Sequence, residues 1–166
     1  MTVIGIDPGI NGAIAVLSAE TIEVQDFPIL ESLKTTKTKS GNKKKKREID
    51  IPALMSMLLD MGIYSADLIV IEKVGAMPGQ GVSSMFSFGQ SLGRIEGVIF
   101  TMALCRVEYV TPGRWKKHFR LIGKGKDGSV IECRNRYPDK SKLFLKSKDG
   151  RSDAALLAEY GRTLLT

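Results

Sequence analysis

A short apolar run near the start of the chain ends in an acidic residue and is followed at once by a turn. Residues 3–6 predict a buried strand, and Asp7 stands where that strand ends. Residues 8–12 contain Pro-Gly and Asn-Gly pairs, which are typical of turns, and the apolar run 13–17 completes a predicted β-hairpin. A carboxylate here is costly to bury but well placed to hold a cation, although it could simply open an Asx turn.

The composition of the 166-residue chain limits its class. Hydrophobic residues make up 43% and charged residues 26%, which favours one globular domain. We find no apolar run of membrane-spanning length and no signal-peptide pattern, so we expect a cytoplasmic protein without a membrane partner. Cys105 and Cys133 form no metal-ligand spacing with His118, and we expect reduced thiols. The net charge of +7 favours a polyanionic partner, nucleic acid before a membrane surface.

Strand and helix patterns alternate through the rest of the chain. Residues 21–27 predict an edge strand, and residues 105–110 predict a further strand. Residues 68–72 are continuously apolar until Glu72, which indicates a strand covered on both faces. If this strand lies parallel to the first, Glu72 and Asp7 share the sheet edge where α/β proteins bind ligands. Helical spacing is predicted over about 51–61, 83–103, 111–120, 129–137 and 153–164.

Two further acids open the last predicted helix. From Asp153, steps of four, three and four residues reach Leu157, Tyr160 and Leu164, so Asp153 extends the stripe that should dock this helix on the sheet. Asp149 lies one turn earlier and about 40° away around the helix. Both acids could instead stabilise the helix N-terminus, but that alternative does not explain why Asp153 shares the packing face.

The four acids, Asp7, Glu72, Asp149 and Asp153, predict a metal site. Neighbouring carboxylates repel one another unless cations intervene, and an all-oxygen ligand set favours Mg²⁺, with Mn²⁺ as a substitute. Two such ions about 3.5–4 Å apart can activate water and stabilise the leaving oxygen in phosphodiester hydrolysis. Together with the basic charge, the pattern predicts a metal-dependent nuclease that needs no small-molecule cofactor.

Basic residues concentrate in segments that are candidates for DNA contact. The lysine arm, residues 32–48, is polar and predicts a mobile loop or hairpin tip that is either simply solvated or neutralises phosphates. The helix after Thr111 interleaves bases with aromatics, and we expect its Trp115 mainly to pack. The candidate DNA contacts are Lys43, Lys44, Lys45, Lys46, Arg47, Lys73, Met77, Phe86, Arg114, Lys116, Lys117, Lys124 and Lys126.

These motifs resemble those of the RuvC-type Holliday-junction resolvases, in the ribonuclease H-like nuclease superfamily, with phage and bacterial forms most similar. The matching segments are 5–9, 70–74, 111–117 and 149–154, in the same order along the chain. The resemblance implies an α/β fold: a five-stranded mixed sheet in the order 3-2-1-4-5 with helices on both faces, in one domain over residues 1–166. By motif match, the catalytic and metal-binding acids are Asp7, Glu72, Asp153 and Asp149.

The resemblance also implies an activity and an assembly. It implies a Mg²⁺- or Mn²⁺-dependent endodeoxyribonuclease that makes paired nicks in opposing strands of a four-way junction, in DNA recombination and repair. It further implies a homodimer, and we expect the two-fold interface on the long helix, around Phe86, Phe88 and Leu92. A phage-encoded form would work in the host cytoplasm, a bacterial one at the nucleoid.

Two departures from the family pattern keep alternatives open. Bacterial members usually space their last two acids three residues apart, whereas Asp149 and Asp153 are four apart. Those members often carry an aromatic wedge after the second acid, where residues 75–77 here are Gly-Ala-Met. A nuclease acting on forks and flaps is one alternative, and a non-catalytic DNA-binding module is another. The first hairpin also resembles the phosphate loop of actin-like ATPases, but this chain is too short for their duplicated fold.

Overall fold

A five-stranded mixed sheet forms the centre of the protein. The computed structural model describes residues 1–19, 21–37, 43–75, 79, 81–125 and 127–166. The strands are β1 (Val3–Asp7), β2 (Ala13–Leu17), β3 (Ile22–Asp26), β4 (Ile29–Lys37), β5 (Lys43–Ile49), β6 (Leu68–Glu72) and β7 (Arg106–Val110). The sheet runs β3-β2-β1-β6-β7, with β1 antiparallel to β2 and parallel to β6. The predicted order 3-2-1-4-5 is confirmed, because β6 and β7 are the fourth and fifth strands of this sheet.

Helices cover both faces of the sheet, as predicted. The helices are α1 (Ile51–Asp60), α2 (Val82–Met102), α3 (Pro112–His118), α4 (Gly128–Arg136) and α5 (Asp149–Arg162). Because strand side chains alternate, Val3 packs with α3, α4 and α5, whereas its neighbour Ile4 packs with α1 and α2. Short 3₁₀ segments lie at Ile63–Ser65, Pro138–Leu143 and Lys146–Lys148.

Helix α5 lies unusually close to β1. A Cβ atom placed on Gly5 would come within 2.1 Å of the Ala154 carbonyl oxygen and 2.4 Å of the Ala158 amide nitrogen. Both alanines are fully buried. Small side chains on both elements therefore allow the backbones to touch, which fixes where the first turn of α5 meets the end of β1.

The described residues of the lysine arm form two paired β-strands rather than an irregular loop. Strands β4 and β5 pair antiparallel, with a shift of register between residues 31 and 35. Lys45 forms an ion pair with Glu31 across the strands at 2.8 Å. At the base of the hairpin Ile49 is buried, and Arg94 of α2 forms an ion pair with Glu48 at 3.0 Å. Pairing of opposite charges and this apolar base explain why so basic a segment forms strands.

The two sheet edges carry charged side chains. At the outer strand β3, the Lys140 Nζ donates a hydrogen bond to the Ile22 carbonyl oxygen at 2.7 Å. At the opposite edge, β7 carries the Arg106–Glu108 ion pair at 3.3 Å. Strand β3 is the outermost strand on one side of the sheet, which confirms the edge strand predicted over residues 21–27.

Two predictions from composition can be compared with the structure. Cys105 and Cys133 are free thiols, as predicted. None of the helices in the described part of the chain has both the length and the apolar character needed to cross a membrane.

Replacing Gly5 with Ala should separate α5 from β1. The added methyl group would overlap backbone atoms that cannot rotate away, so we expect a loss of stability of about 3 kcal/mol. Gly113→Ala is the control, because a Cβ there meets nothing within 4 Å. As an exposed helical position, it should stabilise the protein by about 0.5–1 kcal/mol. Urea unfolding of both variants measures the difference, and equal stabilities would contradict the close packing described above.

Candidate active site

Two of the four acids stand at the ends of adjacent parallel strands. Ile6 of β1 pairs with Ile71 of β6, so Asp7 and Glu72 are the next residues on each strand. Both strands are buried up to these positions, and Glu72 itself is only 9% exposed. Asp7 and Glu72 therefore lie at the same edge of the sheet, as predicted.

Helix α5 brings the other two acids to the same edge. It begins at Asp149, and Asp153 follows one turn later. The first turn lies against β1: a Cβ atom on Gly150 would be 2.8 Å from Asp7 Oδ2. The stripe predicted from Asp153 docks this helix as expected, since Leu157 is fully buried.

Burial and mutual repulsion disfavour ionised carboxylates at this edge. Burial raises the pKa of Asp7 well above its usual range, and the negative charges of Asp153, Glu72 and Asp149 raise it further. Among the described residues, no three His, Cys, Asp or Glu side chains are grouped tightly enough to hold a metal ion as they stand. The donors are nevertheless all carboxylate oxygens, and a hard cation between them would relieve the repulsion. The chemistry of the donor atoms therefore suits a hard divalent cation, although their present spacing does not form a closed site.

Helix α3 supplies partners for two of the acids. The Trp115 indole Nε1 donates a hydrogen bond to Glu72 Oε1 at 2.9 Å, and the Lys116 ammonium lies 4.0 Å from Asp153 Oδ2. Burial raises the pKa of Glu72, while the bond from Trp115 and the charge of Lys116 oppose that shift. Burial likewise raises the pKa of Asp153, opposed by a hydrogen bond from Ser129 and by Lys116.

A carboxylate at the end of β3 holds the start of α5. Arg151 donates from Nε to Asp26 Oδ1 at 2.6 Å and from Nη2 to Asp26 Oδ2 at 2.8 Å, and Lys148 also pairs with Asp26. This two-pronged contact fixes the first turn of α5, which carries Asp149 and Asp153. Sequence reasoning missed the role of Asp26; its place at the end of a third strand, like Asp7 and Glu72, was the available signal.

The basic candidates differ in their distance from the acids. Lys116 borders Asp153 directly, whereas Arg114 lies over the Tyr160 ring, 5.9 Å from its centroid. Arg47 of the lysine arm donates to Asn11 Oδ1 at 2.9 Å. Asn11 lies in the turn after β1, close to Gly150, so Arg47 reaches the edge of the site.

The other basic or wedge candidates are surface residues or lie outside what is described. Lys45, Lys73, Phe86, Lys117 and Lys124 are exposed. Met77, Lys126 and the side chains of Lys43, Lys44 and Lys46 lie outside the described residues.

Comparison with solved structures finds proteins similar to this chain. No family model and no curated protein matches the chain. Thermus thermophilus RuvC in complex with a Holliday junction substrate matches with a TM-score of 0.60 at 14% identity, covering 98% of this chain and 96% of that chain. The chain has the RuvC fold. A second Thermus thermophilus RuvC structure has a TM-score of 0.56 at 15% identity, with the same coverage. The yeast mitochondrial Holliday junction resolvase Ydc2 has a TM-score of 0.42 at 13% identity, covering 94% and 75%.

The RuvC fold confirms the ribonuclease H-like class predicted from the motifs. Its sheet order, the parallel pairing of β1 with β6 and the helices on both faces all agree with that prediction. The similarity extends over nearly the full length of both chains.

Asp7→Asn should stabilise the metal-free protein at neutral pH. The pKa of Asp7 is raised on folding, so its ionised form opposes folding above the unfolded pKa of about 3.9, and this penalty disappears below it. We expect a higher melting temperature at pH 7, by roughly 2–4 °C per kcal/mol relieved, and a difference that shrinks towards zero in acid. Melting curves in chelator across this pH range measure it.

Asp26→Asn is the matched control, and its change in melting temperature should have the opposite sign. The hydrogen bond from Arg151, with help from Lys148, lowers the pKa of Asp26. Its stabilising effect is therefore present above the unfolded pKa and is lost as the pH falls through the folded pKa. Asp26→Asn should lower the melting temperature at pH 7. If Asp7→Asn changes the melting temperature by the same amount at all pH values, the unfavourable ionisation of Asp7 in the folded protein would be contradicted.

Proposed function

We propose that this protein is a metal-dependent endodeoxyribonuclease that resolves four-way DNA junctions by paired nicks in opposing strands. The observation that supports it most is the position of the four acids: two at adjacent strand ends and two on the helix packed against them, within a RuvC fold. A RuvC of that fold has been seen in complex with a Holliday junction substrate. Buried carboxylates that repel one another oppose folding, and such groups are concentrated at functional sites.

Each acid has a role in this proposal. Asp7, Glu72 and Asp153 hold one or two Mg²⁺ or Mn²⁺ ions, and Asp149 completes the set. The ions, when bound, polarise the attacking water and stabilise the leaving oxygen. Trp115 and the sheet keep Glu72 in place, and Lys116 reduces the negative charge that an approaching phosphate meets.

Basic side chains around this edge hold the DNA backbone. Lys116 and Lys117 on α3 and Lys124 after it give one basic surface, and the lysine arm gives another. The arm is anchored through Arg47 to the turn after β1 and through Glu48 to α2. The described lysines of the arm therefore lie on paired strands anchored beside the site, which suits phosphate contact better than a solvated loop.

A dimer forms through the outer face of α2, which we define as Val82, Phe86, Gly89, Gly93, Gly97, Phe100 and the following Leu104. Val82 is 84% exposed, Phe86 66%, Phe100 56% and Leu104 79%. A Cβ atom on any of the three glycines would meet nothing within 4 Å, so a second helix can approach closely there. Of the residues expected at the interface, Phe86 belongs to this face, whereas Phe88 and Leu92 are half-buried beside it.

Side-by-side digestion of fixed-sequence substrates tests the function. A four-way junction, a fork, a flap and a linear duplex are incubated with Mg²⁺, with Mn²⁺ and with chelator. We expect symmetric nicks in the junction, only with metal. Equal cleavage of forks and flaps would instead support a broader branched-DNA nuclease, which the basic hairpin would favour. Binding without any cleavage would leave a DNA-binding module.

Variants of the acids test the site residue by residue. Asp7→Asn, Glu72→Gln and Asp153→Asn each keep the shape and remove a ligand charge. We expect single-turnover cleavage to fall at least about 100-fold, since tenfold corresponds to ~1.4 kcal/mol, with a milder loss for Asp149→Asn. Folding should persist, and metal-free junction binding should be equal or tighter. A stable Asp153→Asn protein that cleaves at the wild-type rate would refute the assignment.

Replacing Lys43, Lys44, Lys45 and Lys46 with Ser should weaken junction binding. The slope of log K against log salt should become shallower by roughly 0.9 for each phosphate that the arm no longer neutralises. The control is Lys142→Ser, because Lys142 is an exposed lysine that lines a cavity beside the outer strand β3 and is not part of the arm. An unchanged slope in the arm variant would show that the arm is only solvated.

Gly93→Arg should separate the two protomers. A Cβ atom at Gly93 meets nothing within 4 Å, so the long charged side chain can leave the middle of the outer face of α2 and block the approach of a second helix. Light scattering should report a monomer, and junction cleavage should become single, unpaired nicks. Leu59→Arg, at an exposed apolar residue of α1, is the control. A wild-type protein that is monomeric at micromolar concentration and fully active would exclude this dimer.

A further inference from the structure

The most buried aromatic side chain near the acids donates its hydrogen bond to one of them. Trp115 is fully buried in the core between the sheet and α5. Its indole N–H is a donor only, so a buried Trp needs one acceptor. The acceptor is the carboxylate of Glu72, which lies 43 residues earlier in the chain and is itself buried.

The contact divides the two oxygens of Glu72 between different tasks. Oε1 accepts the indole hydrogen bond at 2.9 Å, and the rigid indole, locked by packing, fixes the plane of the carboxylate. Oε2 is then the oxygen that remains for a cation. A freely rotating carboxylate could bind with either oxygen or both, and would lose more conformational freedom on binding.

The same helix also reaches the acid on α5. Lys116 lies over the Trp115 ring, 5.0 Å from its centroid, and its Nζ is 4.0 Å from Asp153 Oδ2. Helix α3 follows β7, whose last residue Val110 pairs with Glu72, so α3 starts beside β6. Consecutive residues of one helix thus contact acids from two separate elements.

We propose that Trp115 is a positioning residue for the metal site, holding Glu72 so that it binds a divalent cation through one defined oxygen. This inference rests on the proposed function, because it presumes that Glu72 is a ligand. Partners of ligand side chains typically contribute about 10- to 100-fold to metal affinity. A residue that only packs would contribute to stability and not to affinity.

Calorimetric titration with Mn²⁺, without DNA, separates the two roles. Trp115→Phe keeps an aromatic ring but removes the donor, and should weaken Mn²⁺ binding by roughly 10- to 100-fold. Phe119→Leu perturbs a buried aromatic at the end of the same helix. It should lower the melting temperature while Mn²⁺ affinity stays within about twofold of wild type. Equal Mn²⁺ affinity in wild type and a folded Trp115→Phe would overturn the inference.

A second measurement needs no variant, because Trp115 is the sole tryptophan of the chain. Its indole N–H gives a single signal in a ¹H–¹⁵N spectrum of the wild-type protein. Adding Mg²⁺ should shift that signal together with the backbone amides of Asp7 and Asp153. Shifts at those amides with an unmoved indole signal would refute the positioning role alone. The absence of any Mg²⁺ or Mn²⁺ binding by wild type would instead refute the metal site of the proposed function, and this inference with it.

Discussion

The contact between β1 and α5 is the constraint on which the rest of the structure depends. Gly5 in the strand and the alanines at 154 and 158 in the helix let two backbones approach to a distance that larger side chains would prevent. That approach places the first turn of α5 against the Asp7 carboxylate. The parallel pairing of β1 with β6 then adds Glu72 at the same edge. Backbone geometry, set by small residues, therefore determines where the charges meet.

Bringing these negative charges together opposes folding, and contacts from the surrounding elements offset part of that free-energy cost. Burial and like charges disfavour ionised Asp7, whereas α3 supplies a donor to Glu72 and a cation near Asp153. On the other side, Asp26 pairs with Arg151 and keeps the start of α5 in place. A site maintained against its own repulsion by contacts from several elements is typical of functional rather than structural positions.

Sequence alone predicted the elements and the acids that end them, but not the contacts between distant elements. Continuous apolar runs and helical spacing identified β1, β6, α2 and α5, and the resemblance supplied the strand order, which the structure confirms. The Trp115–Glu72 bond joins residues 43 apart and the Arg151–Asp26 pair joins residues 125 apart, and no local pattern encodes either. The described residues of the arm, expected as a mobile loop or hairpin tip, form paired strands. The one-domain boundary and the roles of the acids stay predictions.

The lysine on the outer strand has a consequence for how copies of the protein can meet. An edge strand exposes unpaired backbone N–H and C=O groups, which can pair with a strand of another molecule. Repeated pairing of this kind leads to open-ended aggregates. On β3, the ammonium of Lys140 occupies the carbonyl of Ile22. On β7, charged side chains make a flat, dry contact unfavourable. These charged edges disfavour self-association through the sheet, which agrees with the proposed dimer contact through the outer face of α2.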